Sequence, residues 1–399
     1  MRIDMTASEK DMFVMRLNKS RTVRCISAFG CLVGKLLPVG RGASLFFFFP
    51  FFHVGGAEKV HAAIVRCFAG ERPWVFFTKK SANDGFLSLF GSQMRFCNLW
   101  GLLKYGYPLS VGIMAGVINR HPQPVVFGCN SLFFYLLLPY LKNETRCIDL
   151  MHAFGGGSEH FSLEAAERLD ARVAINERTV TDLKAQYLAH GMPAALADRV
   201  TLIENSVAVP DELPPKMRGT TLKALYVGRG SEEKRVHLVG RIASRCRERG
   251  IPLEVVIVGD ALHAVAEQDR ANCTFLGEIS DQEQLQAVYR EGDLLLLTSS
   301  REGFPMVIME AMAFGVVPIS TSVGGIPSHV QSGTNGWLVS ETFGEGEIVD
   351  RMCEIVARMC EERDVLDKLS ENAYSYAKKN FSGESFCAAY RALLLGDRC

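Results

Sequence analysis

Short apolar runs alternate with longer polar or amphipathic segments along most of this chain, and the alternation predicts strands and helices in turn. Helix-length segments, such as residues 59–69 and 131–141, separate the runs. In the first half, strands are predicted at residues 45–50, 74–78, 124–128, 145–150, 172–175 and 200–203. Strands that are buried on both faces give uninterrupted apolar runs, so this pattern indicates a mostly parallel sheet covered by helices.

The alternation restarts after a proline-rich break at residues 210–215, which predicts a linker. Strands are predicted beyond it at residues 224–227, 253–258, 274–276, 294–297 and 316–320. Helices are predicted at residues 236–249, 281–290, 306–314, 345–363, 364–380 and 382–395. The fold class is therefore α/β, with two Rossmann-like, doubly wound parallel-sheet domains, and we expect a ligand cleft between them.

Length and composition exclude several classes of protein. A chain of 399 residues exceeds the size at which single cores stop growing, which favours two domains. Its formal net charge of zero argues against nucleic acid as a partner, because a phosphate backbone calls for a basic surface. The 12 cysteines show no Cys-x-x-Cys and no zinc spacing, so we expect reduced thiols and a cytoplasmic location. No apolar run reaches the ~20 residues of a membrane span.

Residues 1–43 differ from the rest in charge, with eight basic and three acidic side chains, and we treat them as a basic N-terminal extension. Ile26, Phe29 and Val33 recur at helical spacing beside basic residues. One hypothesis is an interfacial helix that contacts a membrane surface, as a peripheral protein on the inner membrane face would. The other, which we favour, is an ordinary extension, because glycines and Pro38 weaken the helix.

The most informative stretch is residues 299–339, in which Glu302 and Glu310 lie eight positions apart. Three residues form a strand-to-helix turn between them: Gly303, Phe304 and Pro305. The turn follows a predicted strand, and ligands bind at the carboxyl ends of such strands. Pro305 suits a first helical position, whose preceding N–H groups favour an anion. The turn thus places N–H donors, which can bind phosphate, beside carboxylates, which can bind sugar hydroxyls. This combination predicts a nucleotide-sugar site.

A second signal is the segment at residues 227–234, where a predicted strand ends at Gly228 and a loop follows. Arg229 and Lys234 lie five positions apart in this loop. A guanidinium can bind a phosphate through two hydrogen bonds, and an ammonium adds a compact positive charge. The pair therefore predicts a diphosphate site, with solvated surface charges as the alternative.

Together these motifs resemble those of the retaining glycosyltransferases of family four, the glycosyl transferases group 1, which have the GT-B fold. The resemblance covers nearly all of residues 44–396. It rests on Gly-Arg-x-x-x-x-Lys at residues 228–234, Glu-Gly-Phe-Pro at 302–305, Glu-Ala-Met-Ala at 310–313 and Gly-Gly-Ile-Pro at 324–327. It implies a metal-independent hexosyltransferase with no cofactor, and the absence of Asp-x-Asp agrees with this.

The resemblance also implies roles for single residues. Arg229, Lys234 and the turn would bind the diphosphate, Glu310 the ribose hydroxyls, and Glu302 the donor sugar, with a catalytic role for Glu302 left open. His152 matches the family histidine that approaches the donor sugar, with His160 as the competing candidate. Gly55 and Gly56 match a Gly-Gly-x-Glu turn that faces the donor.

Two positions depart from the family pattern. An acid of the Gly-Gly-x-x-Glu motif is replaced by Ser328, and a usual glycine by Arg235. Arg235 either adds charge to the diphosphate site or faces water.

We thus predict a retaining glycosyltransferase that moves a sugar from a nucleoside-diphosphate sugar to a glycan or lipid-linked acceptor, in cell-surface polysaccharide biosynthesis. The expected domains are residues 1–43, an acceptor domain at 44–209, a nucleotide-sugar domain at 210–380, and a C-terminal helix at 381–399 that crosses back to the first domain. Two alternatives remain. One is a non-catalytic nucleotide-sugar-binding partner of another transferase, and the other is a phosphorylase-like or epimerase-like enzyme of the same fold.

Overall fold

The structure, a computed structural model, describes residues 7–38, 44–53, 55–85, 87–152, 154–155, 157–216 and 219–396. Contacts divide the chain into two units. The first runs to Glu204 and also includes the chain from Cys387 onward, and the second is Asn205–Phe386. Parts of the predicted N-terminal extension, residues 1–6 and 39–43, lie outside the described residues.

A seven-stranded parallel sheet forms the centre of the first unit. Its strands are β1 (Leu45–Phe49), β2 (Trp74–Phe77), β3 (Arg95–Asn98), β4 (Val125–Cys129), β5 (Arg146–Met151), β6 (Ala171–Ala174) and β7 (Val200–Leu202), in the order β3-β2-β1-β4-β5-β6-β7. Its helices are α1 (Ala7–Asn18), α2 (Arg21–Leu36), α3 (Gly56–Arg66), α4 (Trp100–Ile118), α5 (Leu132–Leu137), α6 (Ser158–Leu163) and α7 (Glu177–Ala189). All five residues of β1 are buried, as its apolar run predicted.

A six-stranded parallel sheet forms the second unit. Its strands are β8 (Leu222–Val227), β9 (Leu253–Val258), β10 (Cys273–Gly277), β11 (Leu294–Leu297), β12 (Val317–Thr321) and β13 (Trp337–Val339), in the order β10-β9-β8-β11-β12-β13. Its helices are α8 (Val236–Glu248), α9 (Glu267–Arg270), α10 (Gln282–Glu291), α11 (Met306–Ala313), α12 (Glu345–Glu361) and α13 (Arg363–Asn380), and α14 (Gly383–Leu395) ends in the first unit. The predicted α/β class with two parallel sheets is confirmed. Strands β3 and β13, which lie at sheet edges and are only partly buried, were missed, whereas the other two edge strands, β7 and β10, were predicted.

Strand order reverses once in each sheet, between β1 and β4 and between β8 and β11. The loops that leave two such strands diverge to opposite faces of the sheet and open a crevice at their carboxyl ends. The segment with Arg229 and Lys234 follows β8, and the segment with Glu302 follows β11. The fold of the second unit therefore brings the two predicted motifs to one place.

Helix α2 packs against α4 through glycines on both helices. A Cβ on Gly34 would lie 2.1 Å from the carbonyl oxygen of Ile113, and one on Gly112 would lie 2.0 Å from that of Ser27. Only glycine permits such a close approach of two backbones. The glycines that argued against a helix in this segment are therefore the residues that allow α2 to pack, and the expectation of a weak helix is wrong.

A disulfide joins Cys67, at the end of α3, to Cys387 in α14. Arg391, also in α14, donates to the carbonyl of Cys67 at 2.9 Å and pairs with Glu71 at 2.8 Å. The expectation of reduced thiols is wrong for this cysteine pair. The two cysteines are 320 residues apart, so their spacing gave no signal. None of the described helices is both long and apolar enough to cross a bilayer.

Candidate active site

Lys234 and Glu302 form an ion pair at the point where the strand order of the second sheet reverses. The Nζ atom of Lys234 lies 2.6 Å from Oε1 of Glu302, and the Glu302 side chain is only 7% exposed. The hydroxyl of Ser299 donates to the same carboxylate oxygen at 2.6 Å. A carboxylate bound by an ammonium and a hydroxyl is held in one orientation, which presents its other oxygen to a ligand.

Arg229 lies in the same loop and its side chain is exposed. The carbonyl of Arg229 accepts a hydrogen bond from the hydroxyl of Tyr226 at 2.8 Å, so the backbone is held while the guanidinium reaches solvent. Burial raises the pKa of Tyr226, with Glu302 as a second cause, so this phenol stays a neutral donor. The structure brings Lys234 and Glu302 into contact and leaves Arg229 at the surface of the loop.

Arg235 has a role that neither sequence hypothesis described. Its backbone is left-handed, with φ of 46°, which explains why glycine is usual there. Its guanidinium donates to the carbonyl of Thr298 at 2.7 Å and to that of Ser299 at 3.1 Å. The hydroxyl of Thr298 donates in return to the carbonyls of Lys234 and Arg235. These hydrogen bonds fasten the loop after β8 to the end of β11.

The turn at residues 303–305 rests on a second loop. The N–H of Gly325 donates to the carbonyl of Gly303 at 2.6 Å. Phe304 is 4% exposed and stacks on His329 with ring centroids 4.1 Å apart, so only its backbone can contact a donor. Helix α11 begins at Met306, so Pro305 caps the helix and the prediction of a first helical position is wrong by one residue.

Glu310 projects from α11 toward α10. Its Oε2 atom accepts a hydrogen bond from the hydroxyl of Tyr289 at 2.8 Å. Burial raises the pKa of Tyr289 well above its usual value, and the nearby Glu310 carboxylate adds to this. Tyr289 was not among the sequence candidates because a tyrosine on an amphipathic helix gives no distinct signal.

His152 follows β5 and contacts a second histidine, His61 on α3, with 3.1 Å between their Nε2 atoms. Burial lowers the pKa of His152 to about 4. The pKa of His61 is also lowered well below 6.5, first by burial and then by His152. The competing candidate, His160, is largely exposed and lies 3.5 Å from Glu159. Ala153 and Gly156, next in the predicted motif, lie outside the described residues.

Gly55 and Gly56 stand at the start of α3 and differ in their surroundings. A Cβ on Gly55 would lie 2.2 Å from Oε2 of Glu58, whereas one on Gly56 would meet nothing within 4 Å. Gly55 therefore makes room for the Glu58 side chain, and Gly56 leaves the first turn of the helix open. Among the predicted site residues, these two glycines and His152 belong to the first unit.

The match to a known family lies within the second unit. The family model described as Glycosyl transferases group 1 matches residues 214–376. The putative colanic acid biosynthesis glycosyltransferase WcaL of Salmonella typhimurium is 25% identical over 195 residues, or 45% of this chain and 46% of that protein. The O-antigen biosynthesis glycosyltransferase WbnH of Escherichia coli is 30% identical over 176 residues, or 44% and 47%. The chain thus spans about half the length of these curated relatives.

Solved structures match over most of the chain. Alr3699/HepE of Anabaena in complex with UDP superposes with a TM-score of 0.69 at 19% identity, covering 88% of this chain and 99% of that one. A structure of the same protein with UDP-glucose gives a TM-score of 0.67 at 18% identity, with the same coverage. Residues 214–376 thus match the glycosyl transferases group 1 family model, and the two parallel-sheet units have the GT-B fold, as the sequence motifs predicted.

Proposed function

We propose that this protein is a retaining glycosyltransferase that moves a sugar from a nucleoside-diphosphate sugar to a glycan or lipid-linked acceptor, in the synthesis of a cell-surface polysaccharide. The second unit binds the donor. In the first unit we assign Gly55 and Gly56 to donor binding and His152 to catalysis, because their motifs resemble those of the family. The observation that carries this proposal is the Lys234–Glu302 ion pair, because it sets a phosphate-binding cation beside a sugar-binding carboxylate at a strand-order reversal.

The chemistry requires charge stabilisation on one side of the bond that breaks. Cleavage between the anomeric carbon and the diphosphate builds negative charge on the β-phosphate. Lys234 has three N–H donors, so it can keep its bond to Glu302 and still donate to a phosphate oxygen. The exposed guanidinium of Arg229 and the free N–H groups at the start of α11 add further donors. With these cations in place, the reaction requires neither a divalent metal nor a cofactor.

Glu302 and Glu310 bind the hydroxyl groups of two different parts of the donor. Glu302, oriented by Lys234 and Ser299, binds hydroxyls of the donor sugar. Glu310, oriented by Tyr289, binds the ribose hydroxyls. We propose a UDP-sugar as the first donor to test, because the HepE structures contain UDP and UDP-glucose.

Nucleotide binding tests the donor site. The full chain is screened by thermal shift with UDP, GDP, ADP and CDP and their sugars, since a ligand at ~100 times its dissociation constant adds about 2.7 kcal/mol of stability. We expect UDP to stabilise the wild type. Lys234→Met removes a charge-assisted hydrogen bond worth about 1.5–3 kcal/mol, so UDP affinity falls by about 10-fold to 150-fold.

Lys223→Met is the matched control. Lys223 lies in β8 and is paired with Glu291 at 2.8 Å, away from the predicted donor residues. We expect this variant to bind UDP as the wild type does. Equal affinity of the Lys234→Met and Lys223→Met variants would refute the donor site.

Turnover separates a transferase from a non-catalytic nucleotide-sugar-binding partner. The bound UDP-sugar is incubated with glycan and lipid-linked acceptors, and release of UDP is measured. A transferase releases UDP in proportion to the glycosylated product, with the anomeric configuration of the donor retained. Tight binding without release under any acceptor would favour the non-catalytic alternative. Release of a sugar phosphate, or conversion of the free sugar nucleotide, would favour a phosphorylase-like or epimerase-like enzyme.

We also propose that α2 rests on an anionic membrane surface, with the enzyme peripheral on its cytoplasmic side. The side of α2 that packs on α4 carries small residues, and the outer side carries large apolar ones. Phe29, Leu32 and Leu36 are 63%, 60% and 85% exposed. Exposed basic residues accompany them on the same helix: Arg21, Arg24 and Lys35. Apolar side chains flanked by positive charge are typical of interfacial helices.

Vesicle sedimentation tests this contact. We expect the chain to sediment with phosphatidylglycerol vesicles and not with phosphatidylcholine vesicles. Changing Phe29, Leu32 and Leu36 together to serine abolishes sedimentation, whereas Leu188→Ser does not, although Leu188 on α7 is 83% exposed. Unchanged sedimentation of the triple variant would refute the membrane contact.

A further inference from the structure

The sheet of the first unit brings three potential metal ligands together where its strand order reverses. Cys129 is the last residue of β4, and His152 comes directly after the neighbouring strand β5. His61 lies on α3, which follows β1 on the other side of β4. Their ligand atoms all lie within 4.8 Å of one another. The residues are far apart in the sequence, and the Cys129 thiol is among the free ones.

The distances suit a small metal ion. The two Nε2 atoms are 3.1 Å apart. Two nitrogens bound to one tetrahedral zinc at ~2.0–2.1 Å would be about 3.3 Å apart. His61 and Cys129 are buried, and His152 is partly exposed, so solvent can occupy a fourth position on its side of the cluster. Two imidazoles and one thiolate with an open position form a donor set that zinc accepts.

The hydrogen bonding of His61 gives a second reason to expect a metal ion at this cluster. Within the described part of the chain, its Nδ1 atom is buried and has no hydrogen-bond partner. Its ring stacks on Phe49 with centroids 4.2 Å apart, so packing sets the plane of the imidazole and aims Nε2 at His152. Among the described residues, the His61 side chain makes its hydrogen bond through Nε2, to His152. A buried histidine held in this way is preorganised for a ligand at Nε2.

We propose that His61, Cys129 and His152 form a binding site for a thiophilic metal ion, Zn²⁺, in the first unit. Both imidazoles bind through Nε2. The thiol of Cys129 loses its proton to solvent as the sulfur–metal bond forms. The ion bridges α3 and the ends of β4 and β5, and therefore stabilises the first unit.

Occupancy also has a consequence for turnover, and this part alone rests on the proposed function. A metal ion on Nε2 of His152 prevents that nitrogen from contacting the donor sugar. Zinc therefore inhibits the transferase by occupying a site separate from the diphosphate residues of the second unit. Binding and inhibition are measured separately, so failure of the proposed function leaves the metal site testable.

Cobalt is the spectroscopic probe for the site. Co²⁺ is titrated into the 399-residue chain with its Cys67–Cys387 disulfide intact, and absorption is recorded. We expect one equivalent to give a thiolate-to-cobalt charge-transfer band and tetrahedral d–d bands, and Zn²⁺ to displace it. Zinc also raises the melting temperature of the wild type. A titration with Cu⁺ under anaerobic conditions distinguishes the two thiophilic ions, because tighter Cu⁺ binding that zinc cannot reverse would reassign the metal.

Two variants and a control decide the assignment. Cys129→Ala removes the charge-transfer band, and His61→Phe, which keeps an aromatic ring on Phe49, lowers cobalt affinity by at least about 100-fold. Cys147→Ala is the control, because Cys147 is also a buried free thiol of the same sheet but lies outside the cluster. An unchanged charge-transfer band in Cys129→Ala would overturn the proposal. The absence of a band in the wild type would also overturn it, and this result does not depend on whether a variant folds.

Discussion

Replacing Gly324 with alanine tests whether the loop at residues 324–325 positions Glu302. Gly324 has a φ of +58°, and a Cβ built on it would lie 1.9 Å from the carbonyl oxygen of Glu302. The same methyl group would lie 2.9 Å from the carbonyl oxygen of Gly303. Both contacts are with backbone, so no side-chain rotation relieves them, and the segment that carries Glu302 must move.

The expected effect of Gly324→Ala has two parts, a loss of stability and a loss of rate. A left-handed backbone costs a non-glycine residue about 1–2 kcal/mol, which lowers the free energy of unfolding. In addition, the Glu302 carbonyl oxygen must retreat by about 1.5 Å before the methyl group reaches a normal packing distance. A displacement of 1 Å in a reacting site can cost about 100-fold in rate. We therefore expect Gly324→Ala to lower kcat/KM by about 100-fold.

Gly333→Ala separates these two effects. Gly333 also has positive φ, at +76°, but the nearest atom to its added Cβ is a side-chain carbon of Trp337 at 3.7 Å. Alanine at position 333 therefore adds the cost of a left-handed backbone without a steric clash. Urea denaturation measures the stability of both variants, and thermal shift with UDP and UDP release measure the donor site.

We expect the two variants to share the loss of about 1–2 kcal/mol, with only Gly324→Ala losing further stability, donor affinity and turnover. Normal UDP binding and turnover in Gly324→Ala would refute the view that this loop positions Glu302. Equal losses of stability, donor affinity and turnover in both variants would show that backbone strain alone causes them.

Three further predictions concern the first unit. Asp149→Asn lowers the free energy of unfolding by about 3–5 kcal/mol, measured in urea, because the fully buried Arg172 loses its paired carboxylate. Gly112→Val lowers it by about 1–3 kcal/mol, because the added side chain forces α2 off α4. Acid destabilises the unit, because burial depresses the pKa of His152 to about 4 and that of His61 well below 6.5. The unfolded chain therefore binds more protons than the folded one, at His152 between pH about 4 and 6.5 and at His61 from pH 6.5 downward. Each histidine costs up to ~1.4 kcal/mol per pH unit as the pH falls through that range, and urea denaturation of His61→Phe shows a smaller slope.

The amino-acid sequence by itself determined the class of fold and the second-unit motifs. Apolar runs predicted every strand whose residues are fully buried, because burial on both faces leaves a local pattern of side chains. The spacing of Glu302, Glu310, Arg229 and Lys234 indicated a nucleotide-sugar site, because a strand-to-helix turn places nearby residues at a strand end. The edge strands β3 and β13 were missed, since neither contains an apolar run long enough to give a distinct pattern.

Only the tertiary structure decided which of these residues touch. The strand order β8-β11 joins Lys234 to Glu302 and lets Arg235 bind the end of β11. In the first sheet the order β1-β4-β5 collects the side chains of His61, Cys129 and His152, and the return of α14 pairs Cys67 with Cys387. Local patterns record burial and turns, whereas contacts between distant segments depend on how strands are ordered, which no short stretch of sequence encodes.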